Sequence, residues 1–260
     1  SPFKSTDSIE NPKKNQFSEN MGFELYDNNR SKRLKELIDQ YDKLDYQEFK
    51  KIKFDKQFPN PFNYSWMDID SLFLMNPSDY PKIKPILKSI QSWDRIASAE
   101  SYGAGAYGVL YSKLRKYYNK LPDPKIFTTS VLEKALNESL QHIVNYFGSN
   151  EVKLGSFQKL VRGDKELPIF GLPDVISSMG TAAYKEGMRK VVSGESYIEL
   201  VKFTSEGVEI ESIISYGSSD HKQSEHFNDQ MEYYANQKTK KMTFNKREIY
   251  KKAKKVYHPK

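Results

Sequence analysis

Three groups of residues have types and spacings that could do chemistry. Ser1 stands at the N-terminus, where a serine can attack a carbonyl with its own α-amine as base. Pro2 opposes that role, because its ring confines Ser1 to extended backbone and removes a backbone donor. Gly103-Ala104-Gly105-Ala106-Tyr107-Gly108 satisfies the Gly-x-Gly-x-x-Gly pattern that lets a backbone approach a pyrophosphate at a helix start. That chemistry needs a buried strand beforehand, and here a helix end and a polar linker precede, with no βαβ pattern around them; a closely packed helix entry is the better reading. Asp220, His221, His226 and Asp229 crowd ten residues as a metal site might. The two histidines are not at i, i+4, and the chain supplies no convincing third or fourth ligand, so they read as surface or hydrogen-bonded histidines and no metal is expected. His142 and His258 carry no further signal.

The elements that must position such residues are helices first and strands second. Residues 1–29 are polar, contain Pro2 and Pro12, and read as extended loop. Leu34, Leu37, Ile38 and Tyr41 predict a helix from near Arg30, and Phe49 and Ile52 a second between Tyr46 and Asp55. Gln57 to Ser65, with Pro59 and Pro61, is a connection, and helical signals resume at Met67. Ile83, Ile86, Leu87, Ile90 and Trp93 form an apolar stripe beside Pro85, a favourable first-turn residue, and Asp94 ends it. Residues 107–118 predict another helix, and Ser130 with Glu133 a capping box for a helix stopped by Gly148. Arg162 to Pro173 is too punctuated for a long element and reads as an ordered loop. Residues 189–203 and 208–216 predict two strands about a turn at Glu206-Gly207, with Val208, Ile210, Ser212 and Ile214 on one face. The layout is α+β.

Composition narrows the classes further. The 41 Lys and Arg against 34 Asp and Glu give +7, but residues 238–260 hold ten Lys and Arg against Glu248 alone, leaving the rest of the chain slightly acidic. Such a basic C-terminal tail is not the aromatic-bearing basic face of a specific nucleic-acid binder; a weak option is salt-sensitive binding through the tail. Absence of cysteine excludes disulfides, thiolate metal sites and cysteine nucleophiles. No apolar run approaches a membrane span, and Ser1-Pro2-Phe3-Lys4 opens no signal peptide, so a chain without a membrane span or an export signal of its own is expected. The 18 Tyr and 15 Phe could line an acyl or aromatic pocket, but they follow helix and strand periods and read as core.

Six stretches in order carry a resemblance: Ser1-Pro2-Phe3; Asp45 to Asp55; Trp93-Asp94-Arg95; Gly163-Asp164-Lys165-Glu166-Leu167-Pro168; Gly194-Glu195-Ser196-Tyr197; and Ser215 to Asp220 followed by Ser224-Glu225-His226-Phe227-Asn228-Asp229-Gln230. Together they resemble the C-terminal part of the β-subunit of the penicillin acylase family, closest to its acyl-homoserine-lactone and aculeacin acylase branch. The resemblance implies part of a four-layer αββα N-terminal-nucleophile hydrolase, with residues 1–150 mainly helical, 151–237 strand-rich and 238–260 a basic tail. It implies cleavage of an acyl side chain from an amide such as an acyl-homoserine lactone, a lipopeptide or a penicillin, with no cofactor, as in antibiotic or quorum-signal breakdown.

By this register the nucleophilic serine and the oxyanion asparagine lie outside the chain, Ser1 is an accidental N-terminal serine, and no catalytic residue is present. Arg30 matches the family arginine that orients the asparagine, while Asp94, Asp164, Ser196, His226 and Asp229 belong to structural motifs. The expected partner is the N-terminal part of the acylase, its α-subunit and the start of the β-subunit, with a small-molecule amide in the assembled enzyme and a periplasmic or secreted location. The chain departs from the family at Gly171-Leu172-Pro173-Asp174-Val175-Ile176-Ser177-Ser178, which lacks a usual asparagine, at Gly217 in place of glutamine, and at Glu225 in place of proline. A non-catalytic structural or binding module derived from the family is the alternative.

Overall fold

The structure is a computed structural model that describes residues 18–21, 28–62, 64, 66–67, 69–120, 125 and 127–258. Ser1 and most of the N-terminal loop expectation lie outside the described residues. The chain divides into two compact units, Ser1–Gly194 and Glu195–Lys260.

The first unit opens with α1 (Asn29–Ile38) and α2 (Tyr46–Lys53). Asn28 caps α1 by accepting from Ser31 N–H, and Asp45 with Glu48 forms a reciprocal capping box on α2, so both helix starts are written in short polar side chains. Then come α3 (Asp70–Leu74) and α4 (Lys84–Gln91), whose Ile86, Leu87 and Ile90 are buried as the stripe requires. Helices α5 (Tyr102–Lys120) and α6 (Thr129–Phe147) pack together, and the short α7 (Leu154–Phe157) packs on α5. Their core is aromatic: Trp93 stacks on Tyr107 at 5.3 Å between ring centres, and Phe58 and Phe62 meet at 4.7 Å.

Two expectations are corrected in this unit. The α6 cap is Thr128, which accepts from Val131 N–H, in place of the Ser130–Glu133 pair. The segment read as an ordered loop is a hairpin of β1 (Gln158–Arg162) and β2 (Lys165–Pro168), turned at Gly163-Asp164; strands this short leave too little alternation to be seen. With β3 (Gly180–Ala183) and β4 (Arg189–Ser193) they make a sheet of order β2-β1-β4-β3, in which β1 and β4 are parallel and the other pairs antiparallel.

The predicted strand 189–203 is likewise two strands. β4 belongs to the first unit, and β5 (Tyr197–Thr204) pairs antiparallel with β6 (Gly207–Ile214) in the second, with Gly194-Glu195-Ser196 between β4 and β5. The turn is Ser205-Glu206, one residue before the Glu206-Gly207 signal, because Gly207 already pairs with Thr204. Ile198 and Leu200 from β5 and Ile210 and Ile213 from β6 are buried, with Met231 and Tyr234 of α8 (Met231–Ala235). Inside the basic segment, β7 (Lys240–Met242) pairs with β6, and α9 (Lys246–Lys252) is capped by Asn245. The fold class is α+β, and no helix among the described residues is long and apolar enough to cross a membrane.

Candidate functional site

Arg30 is the second residue of α1, and what holds it there is a carboxylate from the far end of the unit. Asp174 Oδ2 accepts from the backbone N–H of Asn29 at 3.0 Å and from its Nδ2 at 2.9 Å, while Asp174 Oδ1 lies 3.6 Å from Arg30 Nε. An anion on the first N–H groups of a helix satisfies donors the helix cannot and complements its dipole. Burial pushes the Asp174 carboxyl above its usual range, while Asn29 and Arg30 pull it back down.

The exposures decide what the cluster can do. Asn29 is fully buried, the Asp174 side chain is 19% exposed, and the Arg30 side chain is 49% exposed. Arg30 is therefore anchored at one edge of its guanidinium and open beyond it, which is the arrangement of a cation held ready for another group. Asp174 itself adopts φ +72°, a left-handed conformation that places its carboxylate inward, and its N–H donates to Ser178 Oγ at 3.2 Å. Tyr64 donates to Pro173 O at 3.2 Å. Burial first, with the Asp174 charge adding to it, holds the Tyr64, Tyr107 and Tyr111 phenols above their usual range, so these groups remain neutral.

A second carboxylate fixes the body of α1. Asp55, just beyond α2, takes Arg33 through Nε–Oδ1 at 3.2 Å and Nη2–Oδ2 at 3.0 Å, and Arg33 also donates to Gln57 at 2.8 Å. Burial lowers the Arg33 pKa, but the bonds and charges of Asp55 and then Glu36 together outweigh it and leave the group raised. The Asp55 carbonyl accepts from Ser177 N–H, so the loop that carries Asp174 is tied to the segment that grips Arg33.

The other residues singled out by sequence lie apart from this cluster. Asp94 accepts from Ile96 N–H at 2.9 Å in the turn after α4, beside Trp93 in the core. Asp164 is exposed in the β1–β2 turn, and Ser196 is exposed just before β5. In the second unit, His226 Nδ1 meets Asp229 Oδ2 at 2.9 Å, the His226 carbonyl accepts from Ser219 N–H, and Gln230 N–H donates to Tyr216 O. That motif ties its own loop together. No group of His, Cys, Asp and Glu suited to a metal exists among the described residues. Sequence reading missed Asp174 and Asn29 as partners of Arg30; the one available signal was a lone carboxylate inside the apolar run Ile169 to Ile176.

Comparison with known proteins gives the following. Residues 7–251 match the family model described as penicillin amidase. The acyl-homoserine lactone acylase PvdQ of Pseudomonas savastanoi pv. phaseolicola is 25% identical over 193 residues, covering 66% of this chain and 24% of that protein. PvdQ of Pseudomonas syringae pv. syringae is 33% identical over 100 residues, covering 37% of this chain and 13% of that protein. A thermostable penicillin G acylase from Alcaligenes faecalis aligns at TM-score 0.47 and 14% identity, covering 91% of this chain and 53% of that one. The chain spans about a quarter of the length of the first of these curated relatives.

Proposed function

We propose a reading that proceeds from one fact: the chain belongs to the penicillin amidase family. In this reading it is the C-terminal part of an acylase β-subunit, and it works with an N-terminal part that carries the nucleophilic serine and the oxyanion asparagine. The assembled enzyme cleaves an acyl group from an amide, and the names of the relatives support an acyl-homoserine lactone as substrate, with lipopeptides and penicillins as neighbouring classes. A periplasmic or secreted location belongs to the same proposal.

The observation that carries the reading is the Arg30–Asp174 arrangement: a guanidinium fixed by one edge, half exposed, at the start of a helix clamped by two carboxylates. In the assembled enzyme Arg30 orients the asparagine that faces the developing oxyanion, and so acts as a positioning residue. Preorganised donors of this kind are worth several kcal/mol to a transition state.

The test has two arms. The purified 260-residue chain is expected to leave acyl-homoserine lactones intact; turnover abolished by Ser1→Ala overturns the reading. The chain co-produced with the N-terminal part is expected to hydrolyse them, with Arg30→Gln lowering kcat by about tenfold or more and Arg30→Lys recovering part of the loss. An assembled enzyme indifferent to Arg30→Gln removes that residue from the site, and an assembled, inactive complex favours a binding module.

A further inference from the structure

One face of α5 looks onto strand ends across a cleft of about 360 Å³. Gly108, Tyr111, Ser112, Arg115, Lys116 and Asn119 recur at three- and four-residue spacing, so they share that face. Opposite them lie Phe157 at the end of α7, Leu172, Thr181 in β3, and Arg189 at the start of β4. The volume falls within the range of small-molecule sites, about 300–1,000 Å³.

The lining is divided. Its floor is apolar: a Cβ on Gly108 would stand 3.3 Å from Leu172 and 3.5 Å from Phe157, so the bare glycine lets both side chains approach the helix. Its rim is cationic, with Arg115, Lys116 and Arg189 and no carboxylate among the lining residues. The Arg115 guanidinium lies over Trp66 and Tyr118, at 5.1 and 5.4 Å from the ring centres, and is held there by cation–π contact. Among the described residues the Arg189 guanidinium donates to Thr181, through Nε to Oγ1 at 2.8 Å and through Nη2 to the carbonyl oxygen, two neutral acceptors that do not balance its charge. Burial accordingly lowers its pKa. Asp174, the carboxylate whose charge reaches Tyr111 in this lining, is engaged with Asn29 and Arg30. A half-buried cation without a counter-ion is costly and is relieved by an anion.

We infer that this cleft binds a small amphiphilic monocarboxylate, with its apolar body against Phe157 and Leu172 and its carboxylate at Arg189, within reach of the Arg115 and Lys116 rim. A bare oxyanion would leave the floor unused, and a neutral apolar molecule would leave the three cations unanswered. The inference needs only the cleft and does not rest on amide hydrolysis.

The test is calorimetric titration of the purified chain at low salt with octanoate, octanamide and inorganic phosphate. Octanoate is expected to saturate one site and to bind at least tenfold more tightly than the other two. Arg189→Gln is expected to weaken octanoate binding at least tenfold. If that variant fails to fold, the pair Arg115→Gln and Lys116→Gln, on exposed positions of α5, gives the same readout. Octanamide or phosphate binding as tightly as octanoate, octanoate binding that survives these substitutions, or a folded chain that takes up no octanoate at millimolar concentration overturns the assignment.

Discussion

Asn29 donates twice to a single oxygen of Asp174, through its backbone N–H and through its side-chain amide, across 145 residues of sequence. The contact lies within Gly171 to Ser178, the stretch in which the sequence reading expects a departure from the family pattern. Its consequences are testable because Asp174 combines two demands, an inward acceptor and a left-handed backbone. Asparagine meets the second and part of the first; alanine meets neither. Asp174→Ala is expected to cost about 2–4 kcal/mol and Asp174→Asn about 1 kcal/mol, read as urea midpoints at constant slope. Equal losses would show that the backbone conformation contributes nothing to the difference.

Arg33 and Asp55 invite a double-mutant cycle. Their side chains are 16% and 15% exposed and meet in a two-bond fork. Removing either partner leaves the other mostly buried with weaker support, Glu36 and Gln57 for Arg33 and the Gln57 N–H for Asp55. Allowing for the solvent that reaches both, Arg33→Gln and Asp55→Asn are each expected to cost about 1–3 kcal/mol, and the double variant less than their sum by about 1 kcal/mol. Additive losses would mean that the fork is a contact without coupling.

The glycines of the Gly103–Gly108 segment serve packing. A Cβ on Gly105 would lie 1.9 Å from the carbonyl oxygen of Val152, a backbone atom that cannot step aside, whereas one on Gly148 would meet nothing within 4 Å. Gly148 sits at φ +66° after α6, so alanine there bears only the left-handed penalty. Gly105→Ala is expected to cost about 3 kcal/mol or more and Gly148→Ala about 1 kcal/mol, measured by thermal and urea unfolding. Nucleotide added to either variant is expected to leave its melting temperature unchanged.

These cases mark what could be read in the sequence. The α4 stripe and the Gly148 stop were legible because each depends on spacing or on one residue's backbone freedom, both local properties. The β1–β2 hairpin was hidden because Gly163 and Pro168 punctuate strands of only five and four residues. Thr128 and Ser130 are both cap residues by type, and Thr128, in extended backbone and accepting from Val131 N–H, is the one that caps α6. Arg30 was singled out through resemblance alone, and its anchor could not be, because nothing local in Pro173-Asp174-Val175 tells which helix its carboxylate will meet. The site is therefore half visible: the motif names a cation, and tertiary structure supplies the carboxylate that holds it.

His142 makes stability depend on pH in a direction that can be derived. Its Nε2 is 2.7 Å from the Gly187 carbonyl oxygen, and its Nδ1 is 3.5 Å from Lys113 Nζ. A neutral ring protonated on Nε2 satisfies both, donating to the carbonyl and accepting from the ammonium, whereas a second proton on Nδ1 would face Lys113. Burial depresses the His142 pKa below 6.5; the Gly187 carbonyl opposes this, and Lys113, Lys116 and Arg189 push it lower still. The unfolded chain thus binds the proton more tightly than the folded one. The stability contributed by neutral His142 is complete above the unfolded value of 6.5 and is lost as pH falls from there through the folded value. His142→Gln keeps a donor for Gly187 and has no titration, so its urea midpoint is expected to fall less than that of the parent chain between about pH 7.5 and about pH 5. Parallel midpoints for the two proteins over that interval would place the proton elsewhere.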